Sequence, residues 1–238
     1  MSRGFEDRAA DWIRFARAEG HDAYWAYRDA FFELLPPPPA RALEVGCGEG
    51  RVTRDLRGRG YEVTGLDVAP TLVEAARDAD PSGTYVVGDA AALPFDDASF
   101  DLVVSYNSLI DVDDMPAAVT EAGRVLRSGG CFCACVPHPF SEAGEFTSND
   151  ADAAFIVEGS YLQEADYELV SERNGIVFHF VSRRFPLESY ARALEHAGLA
   201  IGALREPPLP GVDPHRRTRI PVFLLWRAVK RLDTRPSG

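Results

Sequence analysis

Three glycines stand at alternate positions in Leu43-Glu44-Val45-Gly46-Cys47-Gly48-Glu49-Gly50, directly after a short apolar run and just before a helical stretch opening at Arg51. Glycine lets a chain turn tightly and lets its backbone approach a ligand, and the first turn of a helix presents N–H groups that lack intrahelical partners. A dinucleotide loop would want G-x-G-x-x-G with a pyrophosphate on the helix terminus; here the spacing is G-x-G-x-G. Two carboxylates follow at strand ends, Asp67 in Gly65-Leu66-Asp67 and Asp89 in Gly88-Asp89-Ala90. A carboxylate closing the second strand is suited to accept two ribose hydroxyls in charge-assisted hydrogen bonds, and one after the third strand can fix an adenine amino group. His138, in Val136-Pro137-His138-Pro139, follows the fifth apolar run between stiffening prolines. Its side chain titrates nearest neutrality, so it is the candidate catalytic base; a histidine hydrogen-bonded at the rim is the other reading.

The elements that must hold these residues alternate. Short apolar runs at Ala42–Val45, Tyr61–Leu66, Thr84–Val87, Phe100–Ser105 and Cys131–Val136 are separated by helical stretches from Arg51, from Pro70 and from about Asp114. Such alternation gives right-handed βαβ units and a parallel sheet with helices on both faces and ligands at the carboxyl ends of the strands. Ahead of it stand two amphipathic, aromatic-rich segments, about Phe5–Ala18 and Asp22–Leu35, broken at Gly20 and set off by Pro36–Pro39. After Pro137 the rhythm changes to a polar loop up to about Asp166, then to two alternating runs, Tyr167–Arg173 and Ile176–Ser182, joined by Asn174-Gly175, a strong hairpin signal. A helix from Pro186 to about Ala197 and two apolar runs, Leu199–Leu204 and Val222–Ala228, complete the chain. The expected organisation is a helical preface over 1–39 and a main domain over 40–238, with a cap inserted at about 138–185.

Composition narrows the partners. The chain has 238 residues, 37 acidic and 25 basic, for a net charge of -12. That balance disfavours nucleic acid, whose binding needs clustered Lys and Arg. No stretch is long and apolar enough for a membrane span, and the first ten residues are too charged for a secretory signal, so a cytoplasmic protein without a membrane partner is expected. Cys131, Cys133 and Cys135 alternate on one strand face about 6.6 Å apart, too far to share one tetrahedral metal. They are read as small buried hydrophobes in a reducing compartment, and no metal is expected.

Taken together, Glu44 to Gly50, Gly65-Leu66-Asp67, Gly88-Asp89-Ala90 with Leu93-Pro94-Phe95, and Arg124-Val125-Leu126-Arg127-Ser128-Gly129-Gly130 resemble class I S-adenosylmethionine-dependent methyltransferases over about Ala40 to Val136. The resemblance implies a doubly wound, seven-stranded, mostly parallel α/β sheet with a Rossmann-like order and an antiparallel last strand at Val222–Ala228. It also implies S-adenosylmethionine as cofactor: Glu44, Gly46, Cys47, Gly48 and Gly50 at the methionine portion, Asp67 and Val68 at the ribose, Asp89 and Ala90 at the adenine, and Tyr106 beside them. The acceptor would be a small molecule or short peptide, methylated on oxygen, with Asn107, Phe140, Tyr161 and Arg183 as candidate substrate contacts in a monomer or homodimer. Ser105-Tyr106-Asn107-Ser108 departs from the N-P-P-Y type of tetrapeptide of nucleobase and glutamine methyltransferases, and Asp111 stands where many small-molecule relatives carry His. N- or C-methylation, a non-catalytic S-adenosylmethionine-binding protein and an NAD-dependent oxidoreductase remain the alternatives.

Overall fold

The computed structural model describes residues 4–18, 23–173, 175–209 and 216–231. Gly20, Asp22 and Asn174, which figure in the sequence reading, lie outside them. In chain order the elements are α1 (Ala9–Arg17), α2 (Ala23–Phe32), β1 (Arg41–Val45), α3 (Arg51–Gly58), β2 (Glu62–Asp67), α4 (Pro70–Ala79), β3 (Thr84–Val87), β4 (Phe100–Tyr106), α5 (Met115–Val125) and β5 (Leu126–Pro137). There follow β6 (Gly144–Phe146), β7 (Phe155–Val157), β8 (Ala165–Arg173), β9 (Ile176–Arg184), α6 (Leu187–His196), β10 (Leu199–Arg205) and β11 (Phe223–Lys230).

Seven strands form one sheet in the order β10-β11-β5-β4-β1-β2-β3. Neighbours from β5 to β3 pair in parallel, whereas β11 runs antiparallel to both β5 and β10. The antiparallel final strand therefore lies where the family resemblance implies it.

Side chains on the central strands alternate between two cores, as the two-residue period of a strand demands. Val103, Phe132, Ala134, Leu224 and Trp226 pack toward α5 and α6. Leu102, Val104, Cys133, Cys135 and Leu225 pack on the opposite face against Tyr24, Tyr27 and Phe31 of α2 and Val52 and Leu56 of α3, with Cys131 at the edge of the same cluster. The three alternating cysteines thus share one apolar face, and burial pushes the Cys133 and Cys135 thiols far above their ordinary range. Among the described residues no group of three His, Cys, Asp or Glu could hold a metal ion, and no helix is long and apolar enough to cross a membrane.

Two segments differ from the sequence reading. β5 starts at Leu126 rather than at Cys131, where the apolar run begins: the chain enters the sheet straight from α5 through Arg127-Ser128-Gly129-Gly130, with a register shift opposite Phe100 and Leu102. The expected loop after Pro137 contains the small antiparallel ladder of β6 and β7, which pairs Gly144 with Val157 and Phe146 with Phe155. β8 and β9 form a separate antiparallel hairpin, with Tyr167 opposite Ser182 and Leu169 opposite Phe180.

Candidate active site

At the carboxyl end of β1 the backbone takes the left-handed region at Gly46 (φ 73°), Gly48 (φ 55°) and Gly50 (φ 85°). The glycine at position 46 is also a steric requirement: a Cβ there would stand 2.2 Å from Ser108 Cβ, while the Ser108 hydroxyl donates to the Val45 carbonyl at 2.6 Å. The loop is tied to the next strand through Gly46 N–H and Cys47 N–H, both donating to Leu66 O at 2.7 and 2.9 Å.

Asp67 sits at that junction, 8% exposed. One carboxylate oxygen accepts Gly48 N–H at 2.8 Å and the other Ala69 N–H at 3.0 Å. A carboxylate has about four acceptor positions, so each oxygen retains capacity for a ligand hydroxyl. Burial raises the Asp67 pKa, opposed by backbone N–H donors at Ala69, Gly48 and Val68. Glu44 on β1 accepts the Thr53 hydroxyl, and burial pushes its carboxyl up to about 8 despite that bond and the nearby Arg51. Glu49, also buried, is ion-paired with Arg54 at 2.9 Å and with Arg17 of α1 at 3.1 Å. Asp89 accepts Ala91 N–H at 2.8 Å in a tight turn after β3.

These groups line one cavity of about 640 Å³. Glu44, Gly46, Cys47, Gly48, Asp67, Val68, Asp89, Ala90 and Tyr106 all face it, as does Asn107 from the expected substrate contacts. Gly50 does not. Its absent side chain instead makes room for Ala76 and the Tyr85 ring, since a Cβ would meet them at 2.9 and 3.0 Å. Carboxylates beside a glycine loop suit a ligand that carries ribose hydroxyls and a cationic sulfonium, so the residues present fit an adenosyl sulfonium.

Residues 43–134 match a family model described as a methyltransferase domain. Among curated proteins, the chain is 38% identical over 122 residues to a malonyl-[acyl-carrier protein] O-methyltransferase of Serratia marcescens, covering 49% of this chain and 48% of that protein. It is 34% identical over 131 residues to the protein of the same name in Salmonella typhimurium, covering 55% and 50%. The chain spans about half the length of the curated relatives it matches. An S-adenosylmethionine-dependent methyltransferase from Mesorhizobium loti superposes with a TM-score of 0.72 at 25% identity, over 86% of this chain and 97% of that one. Over residues 43–134 the chain matches the methyltransferase-domain family, and its fold is that of S-adenosylmethionine-dependent methyltransferases.

The cavity is roofed by α1 and by the β8–β9 hairpin. Trp12 and Phe15 of α1 interlock with Phe178 and Phe180 of β9, the Trp12–Phe178 and Phe178–Phe180 centroids lying 5.2 and 4.7 Å apart. The Trp12 indole nitrogen would be 3.1 Å from a Cβ at Gly48, so α1 lies directly on the loop. Arg51 stacks its guanidinium over Tyr24 at 4.7 Å, inside the same enclosure.

Besides Gly50, four expected site residues are not brought into this cavity. His138 has both nitrogens engaged: Nδ1 accepts Phe140 N–H at 3.1 Å, which leaves Nε2–H to donate to the Glu206 carboxylate at 2.7 Å. The imidazole is therefore a tie between two loops rather than a free base. Phe140 packs on Phe155 with centroids 5.3 Å apart, the Tyr161 hydroxyl accepts Leu187 N–H at 3.2 Å, and Arg183 pairs with Glu164 at 3.1 Å. In their place the structure brings Asp111, Ser141, Glu142, Tyr167, Ser182 and Arg217 to the cavity. The one sequence signal for them is parity: Tyr167, Leu169 and Ser171 share a face of β8 that pairs with Ser182, Phe180 and Phe178 of β9.

Proposed function

We propose that the protein transfers the methyl group of S-adenosylmethionine to an oxygen of a small molecule or short peptide. The observation that carries this is the single roofed cavity, with the adenosyl-type groups Asp67, Asp89 and the glycine loop at one end and the ends of β4 and β5 at the other. When bound, the sulfonium supplies an activated methyl group. In this reading Asp67 takes the ribose hydroxyls on acceptor positions left free by Gly48 and Ala69, Asp89 and Ala90 face the adenine, and Glu44 with the loop faces the methionine portion. The carboxylate-rich wall attracts the ligand's positive charge, and the aromatic roof of Trp12, Phe15, Phe178 and Phe180 excludes water.

Alignment is the main contribution asked of the protein. Holding an acceptor atom at near-attack distance from the methyl can supply about 7 to 11 kcal/mol of the barrier before a base is considered. Oxygen as the methylated atom is supported by the O-methyltransferases among the relatives, and a small acceptor by the enclosed volume of about 640 Å³. Calorimetric titration with S-adenosylhomocysteine, followed by assay of its formation against a panel of hydroxyl, carboxyl and amine acceptors, tests the reading. Binding plus turnover of an oxygen acceptor is expected; absence of S-adenosylhomocysteine binding would refute it.

A further inference from the structure

The far end of the cavity contains a linked set of polar side chains, most of which lie beyond the residues covered by the family match. Ser141 and Glu142 come from a turn of 3₁₀ helix after β5, Tyr167 from β8, Ser182 from β9 and Arg217 from a turn before β11, while Asp111 follows β4. The Ser182 hydroxyl donates to Asp111 Oδ1 at 2.6 Å. Tyr167 is the electrostatic neighbour of Glu142 and lies opposite Ser182 in the hairpin. Arg217 donates to Ser141 Oγ at 2.8 Å. Against these stand apolar walls from Tyr27, Tyr106, Ile110, Val222 and Phe223, and the buried Tyr27 and Tyr106 hydroxyls have no hydrogen-bond partner among the described residues.

We propose that this end is the acceptor subsite, that it takes an uncharged, largely apolar molecule bearing a hydroxyl, of which phenol is the smallest example, and that Glu142 removes the hydroxyl proton. The proposal rests on the methyl-transfer reading. In the step, the acceptor O–H bond breaks and its proton passes to a Glu142 carboxylate oxygen. The acceptor oxygen forms the new C–O bond with the methyl carbon as the C–S bond breaks, and that electron pair stays on sulfur. A carboxylate and a sulfonium become a carboxylic acid and a thioether, so no net charge is left in the enclosure.

Two features select this acceptor class. Two side chains of the linked set are carboxylates, Asp111 and Glu142, against one lining arginine, Arg217, which is already held by Ser141. A carboxylate acceptor would meet like charge there, which costs binding energy. Glu142 is also suited to take a proton. Burial pushes its carboxyl above the ordinary range, against the opposing effects of Tyr167 on β8, Arg217 and Arg184. Tyr190 on α6 and Asp111 also feel this neighbourhood, and burial keeps the Tyr167 and Tyr190 phenols protonated. A carboxylate whose proton affinity is raised by burial is a stronger base.

The experiment is calorimetric titration of phenol and of benzoate into the protein saturated with S-adenosylhomocysteine. Wild type is expected to bind phenol saturably and benzoate about tenfold or more weakly. In Glu142→Gln, phenol should weaken and benzoate tighten, so that the preference narrows or inverts, with S-adenosylhomocysteine affinity within about twofold of wild type as the check on folding. Tyr167→Phe keeps the carboxylate and removes the hydroxyl that favours its ionised form, so the pH at which phenol binding is half lost should move upward. Benzoate binding as tightly as phenol in wild type, no phenol binding, or indifference of both ligands to Glu142→Gln overturns the proposal. Failure of S-adenosylhomocysteine itself to bind would instead sink the methyl-transfer reading.

Discussion

The two ends of the cavity are held by different means. At the cofactor end, Asp67 and Asp89 are set by backbone N–H groups within two residues of themselves or on the adjacent loop, and the loop is set by left-handed glycines. At the acceptor end, Asp111, Glu142, Tyr167, Ser182 and Arg217 come from separate segments and hold one another through side chains. Backbone-held geometry needs only a local residue pattern, so it persists across proteins that share the strand–loop–helix unit. Side-chain-held geometry depends on every contributing segment, and changing one of them changes the ligand. The family match over residues 43–134 accordingly contains the whole cofactor end and, of these five residues, Asp111 alone.

The largest expected effect falls on the loop. Gly46→Ala combines a left-handed backbone with a Cβ driven to 2.2 Å from Ser108 Cβ, and should cost about 2 to 5 kcal/mol of stability, the sum of αL strain and overpacking. Gly159→Ala in the inserted segment has a similar φ of 67° but open space around the new Cβ, and should cost only the strain, about 1 to 2 kcal/mol. Thermal or urea unfolding of both variants separates clash from strain. Equal losses would mean that Ser108 yields and that the loop is less rigid than its hydrogen bonds indicate.

Asp67→Ala should weaken S-adenosylhomocysteine binding by about 1.5 to 3 kcal/mol, the value of hydrogen bonds to a charged group. Calorimetry beside Glu142→Gln, which should leave that affinity nearly unchanged, tests the division of labour directly. Comparable losses in the two variants would merge the ends into one site.

The buried carboxylates of the cofactor end also make stability depend on pH. Glu44 has its folded pKa raised to about 8, so its favourable contribution is complete below the ordinary carboxylate range and is lost as pH rises through about 8. Asp67 is shifted in the same direction. The melting temperature of the ligand-free protein should therefore fall between about pH 4.5 and pH 8, and Glu44→Gln should flatten part of that fall. A slope unchanged by the substitution would assign it to another group.

The same contrast explains what could be read before the fold was known. Gly46, Asp67 and Asp89 were legible because glycine spacing and a carboxylate at a strand end are local signals, and the alternating cysteines were legible because a strand has a period of two. Tyr167 and Ser182 were not: the hairpin alternates cleanly, but which face turns inward is decided by Trp12 and Phe15 landing on Phe178 and Phe180 from a remote helix. Gly50 shares the left-handed backbone of its neighbours, yet it serves packing against Ala76 and Tyr85, a distinction that spacing does not carry.

His138 offers the smallest effect and the sharpest discrimination. Its position between Pro137 and Pro139 at a strand end gave it the air of a catalytic base, but the direction of its ring is set by Glu206, 68 residues further on. Losing that bond and the one from Phe140 N–H in His138→Ala should cost about 1 to 3 kcal/mol of stability, a value spanning neutral and charged hydrogen bonds. Cofactor affinity should not move, and turnover of an oxygen acceptor should drop by about threefold at most, against the 10² to 10⁴ that removal of a general base costs. Glu206→Gln should match it in both measurements, because the two side chains act as one tie. A loss of about 10² or more in His138→Ala, with Glu206→Gln unaffected, would return proton transfer to the imidazole and place the chemistry outside the enclosure that Glu142 shares with Asp67.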